Sequence, residues 1–187
     1  MVTVSTSKSY HHGDLRSALI EAGLAHLESG GEADISLRQL ARETGVSATA
    51  VYRHFPDKKA LLGALANDGY ARLGAAQQTV ADAAGGGSKG FAAAGRAYVR
   101  FALENPALFR LTFTHSAQDG MMKFGEDGAS QLLMAFASEL GGEASQRLAL
   151  QAWSLVHGLA MLMLDGRVPP DPAIIDAVID DATLFKL

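Results

Sequence analysis

The densest run of side chains able to do chemistry is Ser47-Ala48-Thr49-Ala50-Val51-Tyr52-Arg53. Wound as a helix, this run turns Val51 inward, joined by Phe55 just beyond it, and leaves Ser47, Ala48, Thr49, Tyr52 and Arg53 on the opposite face. Two short hydroxyls, a methyl, a phenol and a guanidinium suit recognition rather than bond-making. Small side chains let a helix press into a major groove, where hydroxyls and guanidinium donate to phosphates or base edges. Arg38, upstream, can reach a guanine or a phosphate. Lys58 and Lys59 fall where the next helix begins, beside backbone N–H groups that also attract phosphate.

Catalytic and metal chemistry find no comparable footing. There is no nucleophile elbow, P-loop, glycine-rich dinucleotide loop or His-x-x-x-His pair. Gly85-Gly86-Gly87 follows no strand pattern and reads as a linker. The chain has no cysteine, and His11 and His12 belong to no ligand set of convincing spacing. The expectation is a non-enzyme with no cofactor and no metal. A helical adaptor for protein partners is the rival class, and it would keep its activity when the Tyr52 and Lys58 side chains are removed.

The elements that must hold this face are helices throughout. A first helix is predicted from about Asp14, a plausible N-cap, to Leu27, on the spacing of Leu15, Leu19, Leu24 and Leu27, stopped by Ser29-Gly30-Gly31. Ser36 is expected to cap a second over Leu37–Thr44, whose apolar stripe is Leu37, Leu40 and Ala41. Gly45 ends it with a left-handed turn. The third covers Ala48–His54. Asp57 caps a long fourth helix through about Asp82, and Ala84–Ser88 is read as a flexible connection. Further helices are expected over about Gly90–Glu104, Pro106–Phe113, Gly128–Leu140, Glu143–Leu164 and Pro172–Thr183, with His115–Gly128 a loop or short helix. The fold class is all-α with about nine helices. Residues 1–60 form a three-helix DNA-reading domain and 61–187 a larger helical body, joined by the connecting helix to about 82.

Composition fits that division. Hydrophobic residues make up 48% of the 187 and charged residues 19%, a low charge fraction that an oligomer interface would explain. The net charge of −4 is unevenly spread: residues 1–60 carry seven Lys/Arg against seven Asp/Glu, leaving nine against thirteen for the rest. Four of the six histidines lie in the neutral part. DNA binding is therefore permitted but not demanded. The polar N-terminus lacks a signal-peptide core, and Leu155–Leu164 is too short to span a bilayer, so a soluble, cytoplasmic protein without membrane contact is expected.

The stretch SLRQLARETGVSATAVYRHFPDKKALLGAL, Ser36–Leu65, closely resembles the N-terminal signature of the tetracycline-repressor (TetR) family, matching L-x-x-L-A-x-x-x-G-V-S-x-x-x-x-Y-x-H-F-x-x-K-x-x-L without a gap. The resemblance implies an all-α homodimer, a palindromic double-stranded DNA operator, a small-molecule effector, and repression rather than activation. By matched position it places Arg38, Ser47, Ala48, Thr49, Tyr52, His54 and Lys58 at DNA. Ala48 and Ala50 stand where some members carry polar readers, which shifts weight to phosphate contacts and DNA shape. Tyr52 can alternatively cover the small core, and His54 can close its helix rather than donate to phosphate. Tyr10-His11-His12-Gly13 resembles the lead-in of one subgroup, either as an arm along a phosphate backbone or as a disordered tail.

The body is read from its apolar faces. Trp153, Leu155, Val156, Leu159, Met161, Leu162, Met163 and Leu164 leave few polar sides, so more than one neighbour must bury that helix. The last helix, with Ile174, Ile175, Val178 and Ile179, is similarly broad. Packed against their copies, the two would make a four-helix dimer interface. An effector pocket is expected from Phe101, Phe109, Phe113, Met121, Met134, Trp153 and His157, with Phe91, Met122, Phe124 and Phe136 as further candidate walls. Trp153…His157-Gly158 resembles the Trp-His-Gly signature of one TetR subgroup. His157 is either a ligand contact or a satisfied core histidine, and Trp153 either pocket or core. Effector binding is expected to move the connecting helix and spoil the fit of two recognition helices to the operator.

Overall fold

The computed structural model describes residues 14–118 and 128–181. Among them are nine α-helices, two short 3₁₀ turns and no strand. They fall into two compact units, one through Leu65 and one from Ala66, with the fourth helix running across that boundary.

In the first unit α1 spans Asp14–Gly30, α2 Leu37–Glu43 and α3 Ala48–His54, and α4 begins at Lys58 and runs to Ala83. Leu15, Leu19, Leu24 and Leu27 of α1 are buried, as their spacing requires, together with Leu37, Leu40 and Ala41 of α2, Val51 of α3, Phe55, and Leu61 and Leu65 of α4. At Gly23 the α1 backbone comes so close to α4 that an added Cβ would lie 3.2 Å from Leu65 Cδ2. A 3₁₀ turn over Glu32–Asp34, not anticipated in the sequence, leads into α2. Ser36 holds the N-cap position in extended geometry, yet its hydroxyl makes no capping bond. Its carbonyl alone starts the helix, accepting from the Leu40 N–H at 3.0 Å. The end of α2 is a Schellman turn: the Val46 N–H donates to the Ala41 carbonyl at 3.0 Å and the Gly45 N–H to the Arg42 carbonyl at 3.3 Å. Gly45 sits at φ +70°, where a Cβ would cost stability, so the tight turn between α2 and α3 depends on glycine.

Asp57 caps α4 as its position suggests, Oδ1 accepting from the Ala60 N–H at 2.7 Å. In the second unit α5 spans Gly87–Glu104, α6 Pro106–Gln118, α7 Gly128–Gly141, α8 Ser145–Leu164 and α9 Pro172–Val178. In the first unit α1 runs past Leu27, through Ser29, to Gly30, and three boundaries of the second unit also differ from expectation. The α4–α5 connection is a second Schellman turn rather than a flexible linker, with the Gly86 N–H donating to the Ala81 carbonyl and the Gly85 N–H to the Asp82 carbonyl, both at 3.1 Å. Helix α6 continues past Phe113 to Gln118, its later turn held by buried His115. Helix α9 stops at Val178: Ile179 leaves helical geometry at φ −110°, ψ 68°, and its carbonyl accepts from the Arg96 guanidinium at 2.7 Å.

Packing in this unit centres on α5 and α8, with α7 against both. Phe91 and Phe136 stack with ring centres 5.5 Å apart in a core shared with Ala81, Ala94 and Ala152. By length and composition Gly128–Leu164 would pass for a membrane span, but the 3₁₀ turn Gly142–Ala144 breaks it into α7 and α8, which pack on one another. One side of α8 buries Ala149, Ala152, Val156, Ala160 and Met163. The other leaves Leu150 53% and Leu162 46% exposed, and Val178 of α9 is 38% exposed.

Candidate nucleic-acid interface and apolar cavity

Helix α3 is anchored by the two residues that leave its surface. Val51 and Phe55 are buried, and the Arg16 guanidinium lies 5.5 Å from the Phe55 ring centre, within cation–π range. With that edge fixed, Ser47, Ala48, Thr49, Tyr52, Arg53 and His54 all lie exposed on the rest of α3 and its cap, and Arg38 is exposed on α2. The structure thus brings seven of the eight expected DNA contacts to solvent on adjacent short helices. Tyr52 is 43% exposed.

Ser47 combines two tasks. Its Oγ accepts from the Ala50 N–H at 3.2 Å, capping α3, and acceptance leaves the hydroxyl proton available to a phosphate or base edge. Lys58 differs from the other seven. It is half-buried, and its Nζ donates to the Ala33 carbonyl at 3.3 Å, tying the 3₁₀ turn to the start of α4. A second link fixes α1 to α2: His26 Nε2 lies 2.6 Å from Glu43 Oε2. That contact, aided by Gln39 donating to the other carboxylate oxygen at 3.0 Å, lowers the Glu43 pKa below its ordinary value.

In the second unit a cavity of about 50 Å³ is walled by Gln77, Phe91, Tyr98, Leu132, Phe136 and Trp153, with Ala94, Gly95, Leu133, Ala152, Val156 and Ile179 between them. Of the residues expected at a pocket, Trp153 is on this wall, as are the further candidates Phe91 and Phe136. Phe101 is buried in α5 and Met134 half-buried in α7, neither of them lining it. Met121, Met122 and Phe124 lie outside the described residues, as does Tyr10–Gly13.

Phe109, Phe113 and His157 assemble instead around Tyr98. Phe109 and Phe113 have ring centres 4.8 Å apart, and His157 lies 4.9 Å from Phe113 and 5.6 Å from Phe109. Tyr98 Oη is 2.9 Å from His157 Nδ1 and receives the Trp153 indole N–H at 3.4 Å. An indole only donates, so Tyr98 accepts from Trp153, and donation of its own proton to Nδ1 goes with the neutral Nε2–H tautomer of His157. Burial lowers the His157 pKa below its ordinary value, which favours that neutral form.

Gln77 and Tyr98 were not expected at the cavity, although the sequence carried a signal for the first. Ala66, Tyr70, Leu73, Gln77 and Ala81 form the buried stripe of α4, so a polar amide occupies a position that the helical period assigns to the core. Among the described residues no group of three or more His, Asp or Glu is placed to hold a metal ion.

Comparison with known proteins matches both units. Residues 19–65 match the model of bacterial regulatory proteins of the tetR family. Residues 91–182 match that of the tetracyclin repressor-like C-terminal domain. The HTH-type transcriptional regulators Rv1816 of Mycobacterium tuberculosis and Mb1846 of Mycobacterium bovis are each 34% identical over 104 residues. That match spans 53% of this chain and 43% of theirs, less than half the length of these curated relatives. A structure of a protein of unknown function from Rhodococcus sp. RHA1 aligns over 96% of this chain and 98% of its own, with TM-score 0.76 and 33% identity. The crystal structure of SCO4313, described as a regulatory protein, shares the fold at TM-score 0.69 and 21% identity over 94% of this chain and 97% of its own. The chain belongs to the TetR family of bacterial DNA-binding regulators, and α2 and α3 fall within the residues that match the family's N-terminal model.

Proposed function

We propose that the protein is a homodimeric repressor, neither enzyme nor membrane protein, working in the cytoplasm and released from a palindromic operator by a small, largely apolar ligand. The observation that carries the DNA-reading half is the exposed face of α3, on which Ser47, Thr49, Tyr52, Arg53 and His54 present donors beside the methyl of Ala48 while Val51 and Phe55 hold the helix from behind. Arg38 adds a cation from α2. Lys58 contributes by steadying the Glu32–Asp34 turn and can turn its remaining N–H donors to a phosphate.

A second copy is supported by the uncovered apolar residues Leu150 and Leu162 of α8 and Val178 of α9, which a two-fold partner would bury. Two recognition helices then meet half-sites about 34 Å apart or a multiple of it. Ligand in the second unit favours a dimer whose recognition helices no longer match that spacing, with α4 carrying the displacement. A coupling of about 1–3 kcal/mol would weaken DNA binding roughly 5–150-fold.

The test is selection of bound duplexes from a random pool by the full chain, followed by a salt titration on the recovered sites. The expected result is a two-fold symmetric sequence whose affinity falls steeply with salt. Absence of salt-dependent attraction to any duplex refutes the proposal.

A further inference from the structure

The one polar side chain of the cavity wall that keeps an unanswered hydrogen-bonding atom is Gln77. It is 8% exposed, its Nε2 donates to the Ala94 carbonyl at 3.2 Å, and its Oε1, itself fully buried, has no hydrogen-bond partner among the described residues. The amide cannot turn over to relieve this, because Oε1 would then face the Ala94 carbonyl, oxygen against oxygen. The other polar groups of the wall, the Tyr98 hydroxyl and the Trp153 indole, are engaged with one another, and Tyr98 with His157. Among the described residues no Asp, Glu, Lys or Arg lines the cavity. A buried acceptor that no protein donor answers is a position where a bound molecule's donor gains most, and an apolar chamber with few fixed polar anchors is the usual form of a small-molecule site.

We infer that Gln77 Oε1 is the specificity-setting acceptor for the effector, which is an uncharged, mainly apolar molecule carrying a hydroxyl or N–H donor. The inference rests on the reading of the second unit as effector-binding and narrows it to a chemical class. The cavity would hold about three to five water molecules, which limits the buried part of the ligand to a single ring or short chain. An ionised carboxylate or ammonium is disfavoured because none of the described wall residues would pair with it. A carbonyl compound of the same shape is disfavoured, since it brings a second acceptor to Gln77 and leaves both unpaired.

The test uses the full chain with three probes of one shape: cyclohexanol, cyclohexanone and cyclohexanecarboxylate. Trp153 is the only tryptophan and stands on the cavity wall, so its emission reports occupancy without a label. Cyclohexanol is expected to bind at least about tenfold more tightly than cyclohexanone, and the carboxylate not at all. Replacement Gln77→Met, which keeps the unbranched shape, is expected to erase the preference for the alcohol. Equal binding of alcohol and ketone by the unaltered chain overturns the role of Gln77 while leaving the cavity an effector site, and this comparison stands even if the variant fails to fold. An undiminished alcohol preference in Gln77→Met overturns that role equally. No response to any probe overturns both this inference and the effector reading of the cavity.

Discussion

At Gly69, on α4, an added Cβ would lie 2.1 Å from Thr112 Oγ1 and 3.1 Å from Leu108 Cδ1 on α6. Thr112 cannot simply swing aside: it is buried, and its hydroxyl is held on the Leu108 carbonyl at 2.8 Å. Gly69→Ala sets two effects of opposite sign against each other. Alanine improves a mid-helix position by about 1 kcal/mol, while forcing a methyl into a filled contact costs about 1–3 kcal/mol. A carbon–oxygen approach this close calls for a shift of about an ångström, so the upper end applies, and the net loss should be about 2 kcal/mol. Thr112→Ala removes the obstructing oxygen. It forfeits one hydrogen bond, about 1 kcal/mol, and in that background the alanine at 69 should recover its helical advantage. The four proteins of the cycle would be compared by urea denaturation at one fixed protein concentration, since any self-association adds a concentration term. A coupling of about 2–3 kcal/mol is expected. If Gly69→Ala costs the same with and without the Thr112 hydroxyl, steric closure between α4 and α6 is not what the glycine serves.

Other perturbations follow from the same geometry. Arg53→Ala should weaken binding to every duplex and lower the salt slope by about 1 if its guanidinium meets a phosphate, measured by fluorescence anisotropy; an unchanged slope would remove Arg53 from the contact set. Leu162→Glu should yield a folded monomer by sedimentation with helical content kept, and an unchanged mass would place the dimer interface elsewhere. The depressed pKa of His157 means that below its ordinary value the unfolded chain takes up a proton before the folded chain does. Stability should therefore be fully present above about pH 6.5 and decline as pH falls toward the lowered value. His157→Gln should flatten the urea midpoint across that window, whereas an identical pH profile would mean that His157 does not report burial.

The part of the molecule most legible from sequence was the reading head. Helix α3 has the bounds its pattern indicates, Ala48–His54, because a Ser cap, a Gly turn and an apolar edge all point to one answer there. Asp57 signalled the start of α4 for the same reason. The Glu32–Asp34 turn carried no comparable mark, since Glu32, Ala33 and Asp34 have no special turn propensity and gain their geometry from the neighbours they join. The end of α9 was illegible because the partner of its last free carbonyl, Arg96, lies far away in the chain. Aromatic content pointed to Phe91, Phe136 and Trp153, which line the chamber, but also to Phe109, Phe113 and His157, which pack around Tyr98 instead; the small and branched residues between the rings, such as Ala94, Leu132 and Ile179, carried no such signal. The stripe on α4 reveals that Gln77 faces inward. Only the carbonyl of Ala94, on another helix, determines which of its two amide atoms is left over.

If α3 reads DNA as proposed, the cap that Ser47 forms bears on how such a reader can change its preference. An exchange at that residue disturbs the onset of α3 as well as whatever the hydroxyl touches, so altered recognition arrives together with a frayed helix. Ala48, Thr49 and Arg53 carry no such second obligation in the fold. Drift toward a new DNA sequence therefore has its least obstructed route through those three, with Ser47 left as the fixed point about which the others vary.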